Sequence, residues 1–272
     1  MLLTNDLAMK RLEGIPGDIG LVVYEMATGD RVSIGETKAI EAASVIKLFV
    51  MAEAFRQREE GLIDFAMPVT VREEDKLPSC GALTYMKGDI TLPLGDLVTL
   101  MIILSDNTAT NLLIDLMGIG RIGEMISLLG MRETALRRKL FMPELAARGV
   151  RNEVSARDCA RLMQLLLEGR VVSPGASAEM LDILRCQRLR GKIPFYLSSR
   201  NVKCAHKTGE DDGITHDVGV IFGKTPRIFC FLSQKTNVPE AERALQALAG
   251  AAGTDDMQLL HCGWEDGKWR IS

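Results

Sequence analysis

Ile40-Glu41-Ala42-Ala43-Ser44-Val45-Ile46-Lys47-Leu48-Phe49-Val50 is the stretch at which the chain changes character. Upstream of it the pattern is that of strands. Residues 19–24 form an apolar, β-rich run, Ala27-Thr28-Gly29-Asp30 is a turn, and residues 31–34 form a second strand, which together predict a hairpin. A short amphipathic helix over residues 3–12 precedes them, ended by Gly14-Ile15-Pro16-Gly17. Downstream, helical periodicity takes over at 44–60, 94–104, 109–117, 119–129, 155–167 and 176–186. Ser155 with Asp158 three residues on resembles a capping box, and Gly169 supplies the stop. Strand character returns at 202–207, 217–222 and 228–232, and a helix over 239–251 follows. This order predicts an α+β fold: an antiparallel sheet of about five strands flanked by helices, with an inserted all-helical lobe. The expected division is a discontinuous α/β lobe, residues 1–43 plus 188–272, and a helical lobe, residues 44–187, with a ligand groove between them. In the tail, Trp264 to Trp269 reads as a small hairpin around Asp266-Gly267.

Composition narrows the function. A chain of 272 residues, 47% hydrophobic and 25% charged, can build a sizeable core without disulfide or metal support. A formal net charge of -3 with both signs mixed along the chain argues against nucleic-acid binding, which needs clustered cations, and leaves a small-molecule substrate. The longest apolar runs, 45–54 and 97–104, contain Lys47, Glu53 and Thr99 and are too short to cross a bilayer. The first residues have no basic segment followed by an apolar run, so no secretory signal is read; a cytoplasmic protein is expected unless the sequence was trimmed from a secreted precursor. A monomer without cofactor is expected. Cys80, Cys159, Cys186, Cys204, Cys230 and Cys262 are scattered singly, which predicts reduced and mostly buried thiols. Cys204, His206, His216, His261 and Cys262 lack the usual zinc spacings, so no metal site is read from them.

Three short motifs carry the chemistry. Ser44-Val45-Ile46-Lys47 sits where loop becomes helix, which puts a hydroxyl and an amine on one face near free N–H groups that favour developing negative charge. Taken alone, Ser44 is as well read as a helix cap and Lys47 as a solvated side chain. Ser105-Asp106-Asn107 lies at a break between helices, and Lys207-Thr208-Gly209 at the end of a predicted strand. Each fixed triplet arises by chance in roughly one chain in twenty; the three in this order are far rarer.

The set S-x-x-K, S-D-N, K-T-G resembles that of the class A β-lactamases and the penicillin-recognising serine enzymes. The segment over 97–115, Phe141-Met142-Pro143-Glu144-Leu145, and residues 206–220 are similar to the same family, and the likeness runs from about Leu3 to Ala251. The resemblance implies that Ser44 attacks a carbonyl carbon to form an ester, with Lys47 taking its proton directly or through water. It further implies that Ser105 passes the proton to the departing nitrogen, that Asn107 holds the substrate's amide side chain, and that Lys207 and Thr208 bind its carboxylate. Gly209 would let the strand approach the substrate, and the N–H groups of Ser44 and Glu210 would form the oxyanion hole. Glu210 stands where the family usually has a small residue.

One departure bears on turnover. Where the family has E-P-E-L-N, this chain has Met142-Pro143-Glu144-Leu145-Ala146, so the general base and the second water ligand of the resemblance are both replaced by apolar side chains. A thioether accepts no proton near neutral pH. Acylation is therefore expected to survive and deacylation to be slow, unless Glu144 is recruited or Lys47 serves both steps. The resemblance also implies a cis bond between Met142 and Pro143. A β-lactam-reactive hydrolase is the leading expectation; an esterase or D-alanyl peptidase, or a penicillin-binding sensor that acylates once, would use the same residues.

Overall fold

The computed structural model describes residues 3–78 and 80–255 and the strand backbones at 262–265 and 268–271. Helix α1 (Asn5–Leu12) leads into the hairpin β1 (Asp18–Glu25) and β2 (Arg31–Ile34), as the periodicity predicts. After the short strand β3 (Ile40–Glu41) a 3₁₀ turn over Ala43–Ile46 opens helix α2 (Lys47–Glu59). The pair β4 (Pro68–Val71) and β5 (Ile90–Pro93) follows, then α3 (Leu94–Ile103), α4 (Asn107–Met117), α5 (Ile119–Leu128), α6 (Pro143–Ala147), strand β6 (Glu153–Val154), α7 (Ala156–Leu167) and α8 (Pro174–Arg185). The chain then returns to the sheet as β7 (Lys203–Asp211), β8 (Ile214–Phe222) and β9 (Pro226–Gln234), and α9 (Val238–Thr254) packs back on it.

The five-stranded sheet runs β2-β1-β9-β8-β7, every neighbour antiparallel. Alternation along its strands divides the core in two, because successive side chains of a strand point to opposite faces. Leu21, Val23, Phe229 and Phe231 face α1 and α9. Val22, Ile228, Cys230 and Leu232 face the helices of the 44–187 segment, so the core under α2 and α7 is continuous with one face of the sheet. Since both faces are covered, β1 reads as an unbroken apolar run rather than a half-buried alternation.

The helix boundaries have local causes. Ser155 caps α7 by accepting from Asp158 N at 3.1 Å, as its position predicts. The Asp158 carboxylate turns elsewhere, accepting from the N–H groups of Arg132, Glu133 and Thr134, and so ties the end of the α5 segment to α7. Two other expectations are corrected. Lys207-Thr208-Gly209 lies inside β7 rather than at its end, because the two-residue loop Asp212-Gly213, with Gly213 at φ +65°, joins β7 to β8 and extends both strands past the motif. The Met142–Pro143 bond is trans: Phe141, at φ +56°, makes the reversal, and Pro143 then starts α6 at the position where its fixed φ fits and its missing N–H is not needed. The described thiols are free and mostly buried, as expected: Cys159, Cys204 and Cys230 are buried, and Cys80 and Cys186 are exposed.

The tail strands β10 (Cys262–Glu265) and β11 (Lys268–Ile271) pair antiparallel with Trp264 opposite Trp269, as expected; residues 266–267 lie outside the described residues. No helix among the described residues is long and apolar enough to cross a membrane.

Candidate active site

Among the described residues, five segments distant in sequence meet at one cavity of about 550 Å³, lined among others by Glu41, Ser44, Cys80, Asn107, Met142, Ala146 and Glu210. Ser44 is half-buried in the 3₁₀ turn, where residues i and i+3 eclipse, so Ser44 and Lys47 share a side of the turn. Behind the cavity wall is a buried polar layer. Lys47 and Lys207 are fully buried, and Ser105 and Asn107 nearly so.

Ser105 is the centre of that layer. Its Oγ lies 3.0 Å from Lys47 Nζ and 3.1 Å from Lys207 Nζ. Lys47 Nζ also donates to Ser105 O and to Asn107 Oδ1, both at 2.7 Å, while Lys207 Nζ donates to Thr208 O at 2.7 Å. Lys47 thus reaches Ser105 and Asn107, and among the described residues no hydrogen bond joins it to Ser44. Asp106, between them, is structural: Oδ1 caps α4 by accepting from Ala109 N at 3.0 Å, and Oδ2 accepts from Ala82 N and Leu83 N, holding the Cys80 segment over the cavity.

Burial sets the charge state of the two amines. Desolvation pushes the Lys47 ammonium well below the ordinary lysine value, the Lys207 ammonium adds to that, and Cys80 and Asp106 oppose it. Lys207 is pushed down to about 7, by burial first; Asp217, Cys80 and Glu210 pull it back up, while Lys192 pushes it further down. Burial thus favours the neutral form of both amines, and the Ser105 hydroxyl lies within hydrogen-bond reach of each.

The backbone here is held away from its resting geometry. Ala43 at φ +41°, Ser105 at φ +56° and Phe141 at φ +56° are non-glycine residues in the left-handed region, and all three are at or beside the cavity. Each costs about 1–3 kcal/mol, held in place by the surrounding packing.

On the β7 side, Gly209 and Thr208 are buried and Glu210 is exposed at the cavity rim. Beneath them is Lys192, 3% exposed, whose Nζ donates to Gly209 O at 3.1 Å and His216 O at 3.3 Å and lies 3.0 Å from Glu210 Oε1. Sequence reasoning missed Lys192, since a lone lysine in Gly191-Lys192-Ile193-Pro194 reads as part of a chain break. It missed His216 as well. Ser233 N donates to His216 Nδ1 at 3.1 Å, so the proton sits on Nε2, which donates to Glu41 O at 2.8 Å. Burial lowers this imidazole to about 4 and keeps it neutral.

On the loop side, Met142 and Ala146 line the cavity, whereas Glu144 is exposed and does not. Asn152 closes the loop: Oδ1 accepts from Arg137 N at 2.8 Å and Arg138 N at 3.0 Å, and Nδ2 donates to Arg138 O at 2.9 Å. For the discounted metal set, Cys204 and His206 are buried in β7, His206 Nδ1 lies 2.9 Å from Asp217 Oδ1, and His261 falls outside the described residues. Among the described residues no cluster of three or more His, Cys, Asp or Glu is arranged to hold a metal.

Comparison with known proteins agrees with this architecture. The family model described as the β-lactamase enzyme family matches residues 5–254. A β-lactamase from Sphaerobacter thermophilus superposes with a TM-score of 0.83 at 29% identity, covering 94% of this chain and 95% of that one. PBP-A superposes with a TM-score of 0.82 at 25% identity, over 92% of this chain and 96% of its own. A Leu-to-Glu variant of PBP-A, solved as an acyl-enzyme complex with penicillin G, gives 0.81 at 25% identity, over 91% and 95%. Among curated protein sequences there is no match.

Proposed function

Since the chain belongs to the β-lactamase enzyme family, we propose that it is a serine hydrolase that forms an acyl-enzyme at Ser44, acts on β-lactams, and releases the acyl group slowly. The observation that carries this reading is Ser105 Oγ held 3.0 Å and 3.1 Å from two buried lysines behind the Ser44 cavity. In the proposed sequence Ser44 Oγ bonds the lactam carbonyl carbon and gives up its proton, through water or a rotation of its side chain, to the amine of Lys47. The lactam C–N bond then breaks. Ser105 Oγ–H protonates the departing nitrogen and is itself reprotonated from Lys47. The N–H groups of Ser44 and Glu210 hold the carbonyl oxygen, Lys207 and Thr208 the substrate carboxylate, and Asn107 its amide side chain. The division into an α/β lobe and a helical lobe belongs to the same reading, the cavity lying where the segments on either side of residue 43 and residue 187 meet.

The slow second step follows from the apolar wall. Met142 and Ala146 line the cavity where a base and a water ligand would be needed, and neither can accept a proton. This same observation favours a second reading, a penicillin-binding protein that acylates once and stays acylated.

Intact-protein mass spectrometry separates the two. Incubation with penicillin G adds one penicillin mass to the protein, on Ser44, and Ser44→Ala abolishes the addition. Multiple turnovers of a chromogenic cephalosporin select the hydrolase, and stoichiometric labelling alone selects the binding protein. An unaltered mass after long incubation overturns both.

A further inference from the structure

We infer that Glu41 is a further catalytic residue, the base that activates water for whatever deacylation occurs; the inference rests on the acyl-enzyme reading above. Among the described residues, three carboxylates line the cavity that holds Ser44: Glu41, Glu210 and Asp211. Glu210 and Asp211 belong to β7, the strand proposed to hold the carbonyl oxygen, and Glu210 Oε1 is 3.0 Å from Lys192 Nζ. Glu41 belongs instead to the loop side, where water must be activated if Met142 stands in the place of a base. Its strand β3 pairs with β6 at the end of that loop, Ala42 N donates to Asn152 O at 2.8 Å, and the Glu41 carboxylate lies 3.4 Å from Arg138 and 3.9 Å from Arg151.

Glu41 is also held as a positioned group must be. Its N–H donates to Gln234 Oε1 at 2.9 Å, and its carbonyl accepts from His216 Nε2 at 2.8 Å, only three residues before Ser44. The side chain is 25% exposed and touches its two arginines only at long range, which leaves lone pairs free for a water. In the deacylation step the water oxygen bonds the ester carbonyl carbon as its proton passes to Glu41. The carbon–oxygen bond to Ser44 then breaks, that proton returns to Ser44 Oγ, and the free acid leaves.

The test follows the lifetime of the penicillin adduct on the full chain by intact mass. Glu41→Gln should leave the acylation rate within about threefold and lengthen the adduct lifetime about 100-fold, the lower end of what a general base contributes. Adding Met142→Glu to that variant should restore release, and Glu41→Asp should fall between, which a purely structural role would not produce. An adduct with unchanged lifetime in Glu41→Gln overturns the inference alone. Loss of acylation together with release would make Glu41 a structural residue and overturn it too. Absence of any adduct on the parent protein would remove the acyl-enzyme reading and this inference with it.

Discussion

Gly209 faces His216 across the β7–β8 pair so closely that a Cβ built on the glycine would lie 3.0 Å from the imidazole Cδ2. The same Cβ would come within 3.3 Å of Val45 in the 3₁₀ turn that carries Ser44. The missing side chain therefore brings three things together: strand β7, the histidine and the turn carrying Ser44. The imidazole has no room to yield, because Ser233 N and Glu41 O hold both of its nitrogens.

Gly209→Ala should accordingly lower stability by about 1–3 kcal/mol, the usual cost of overpacking. It should also slow acylation at least tenfold, because Val45 and Gly209 adjoin Ser44 and Glu210, whose N–H groups are the proposed oxyanion donors. Thermal melting and the rate of penicillin labelling check the two separately; an unchanged labelling rate would mean that the strand has slack.

The proposed contact of Lys207 with the substrate carboxylate makes capture depend on pH. Its folded value is about 7, so the ammonium that would bind a carboxylate is lost as pH rises through that value, and kcat/KM for a carboxylate-bearing substrate should fall along an alkaline limb centred near pH 7. Stability moves the other way. The folded state resists the charge that the unfolded lysine carries up to about pH 10.4, so stability is penalised below about 7 and recovers as pH climbs between the two values. Lys207→Arg, whose charge does not titrate, should flatten the alkaline limb. A limb unmoved by this substitution would assign it to another group.

Much of this was legible in the sequence, for identifiable reasons. The hairpin, the helical block and the return to strands could be read because periods of 2 and 3.6 are imposed by burial, and an antiparallel sheet of about five strands followed from them, whereas the order of its strands did not. The convergence of Lys47, Ser105 and Lys207 was carried by motifs, since nothing in spacing alone brings residues 47, 105 and 207 together. What stayed hidden depends on three-dimensional neighbours. Lys192 acts through carbonyls 17 and 24 residues away, and His216 through a carbonyl 175 residues away. The left-handed backbone at Ala43 and Ser105 is imposed by packing against local preference, so residue type gives no sign of it. The Asp212-Gly213 turn, by contrast, was a readable hairpin signal.

The apolar loop wall gives a gain-of-function prediction. Met142 is 36% exposed and lines the cavity with Ala146, so larger polar side chains can be accommodated there without displacing core. The double change Met142→Glu with Ala146→Asn should shorten the life of a preformed acyl-enzyme at least 100-fold while leaving acylation within a few fold. Stopped labelling followed by mass spectrometry measures both. Failure to speed release would show that this wall does not face the ester.

Asn152 holds the loop shut from inside. Its amide is 4% exposed and satisfies the N–H groups of Arg137 and Arg138 and the carbonyl of Arg138. Asn152→Ala would strand these groups, each costing about 1–3 kcal/mol where water cannot replace the partner. Part of that cost should be avoided by local opening, because among the described residues the Arg138 side chain is itself anchored only to Val150 O, Lys139 O and Glu41. The expected result is a modest fall in global melting temperature together with fast amide hydrogen exchange confined to residues 137–152. Asn152→Asp keeps the two acceptor bonds and loses only the donor, so it should recover most of the protection. Equal exchange in the parent and the alanine variant would show that the loop is held by its arginines and not by this amide.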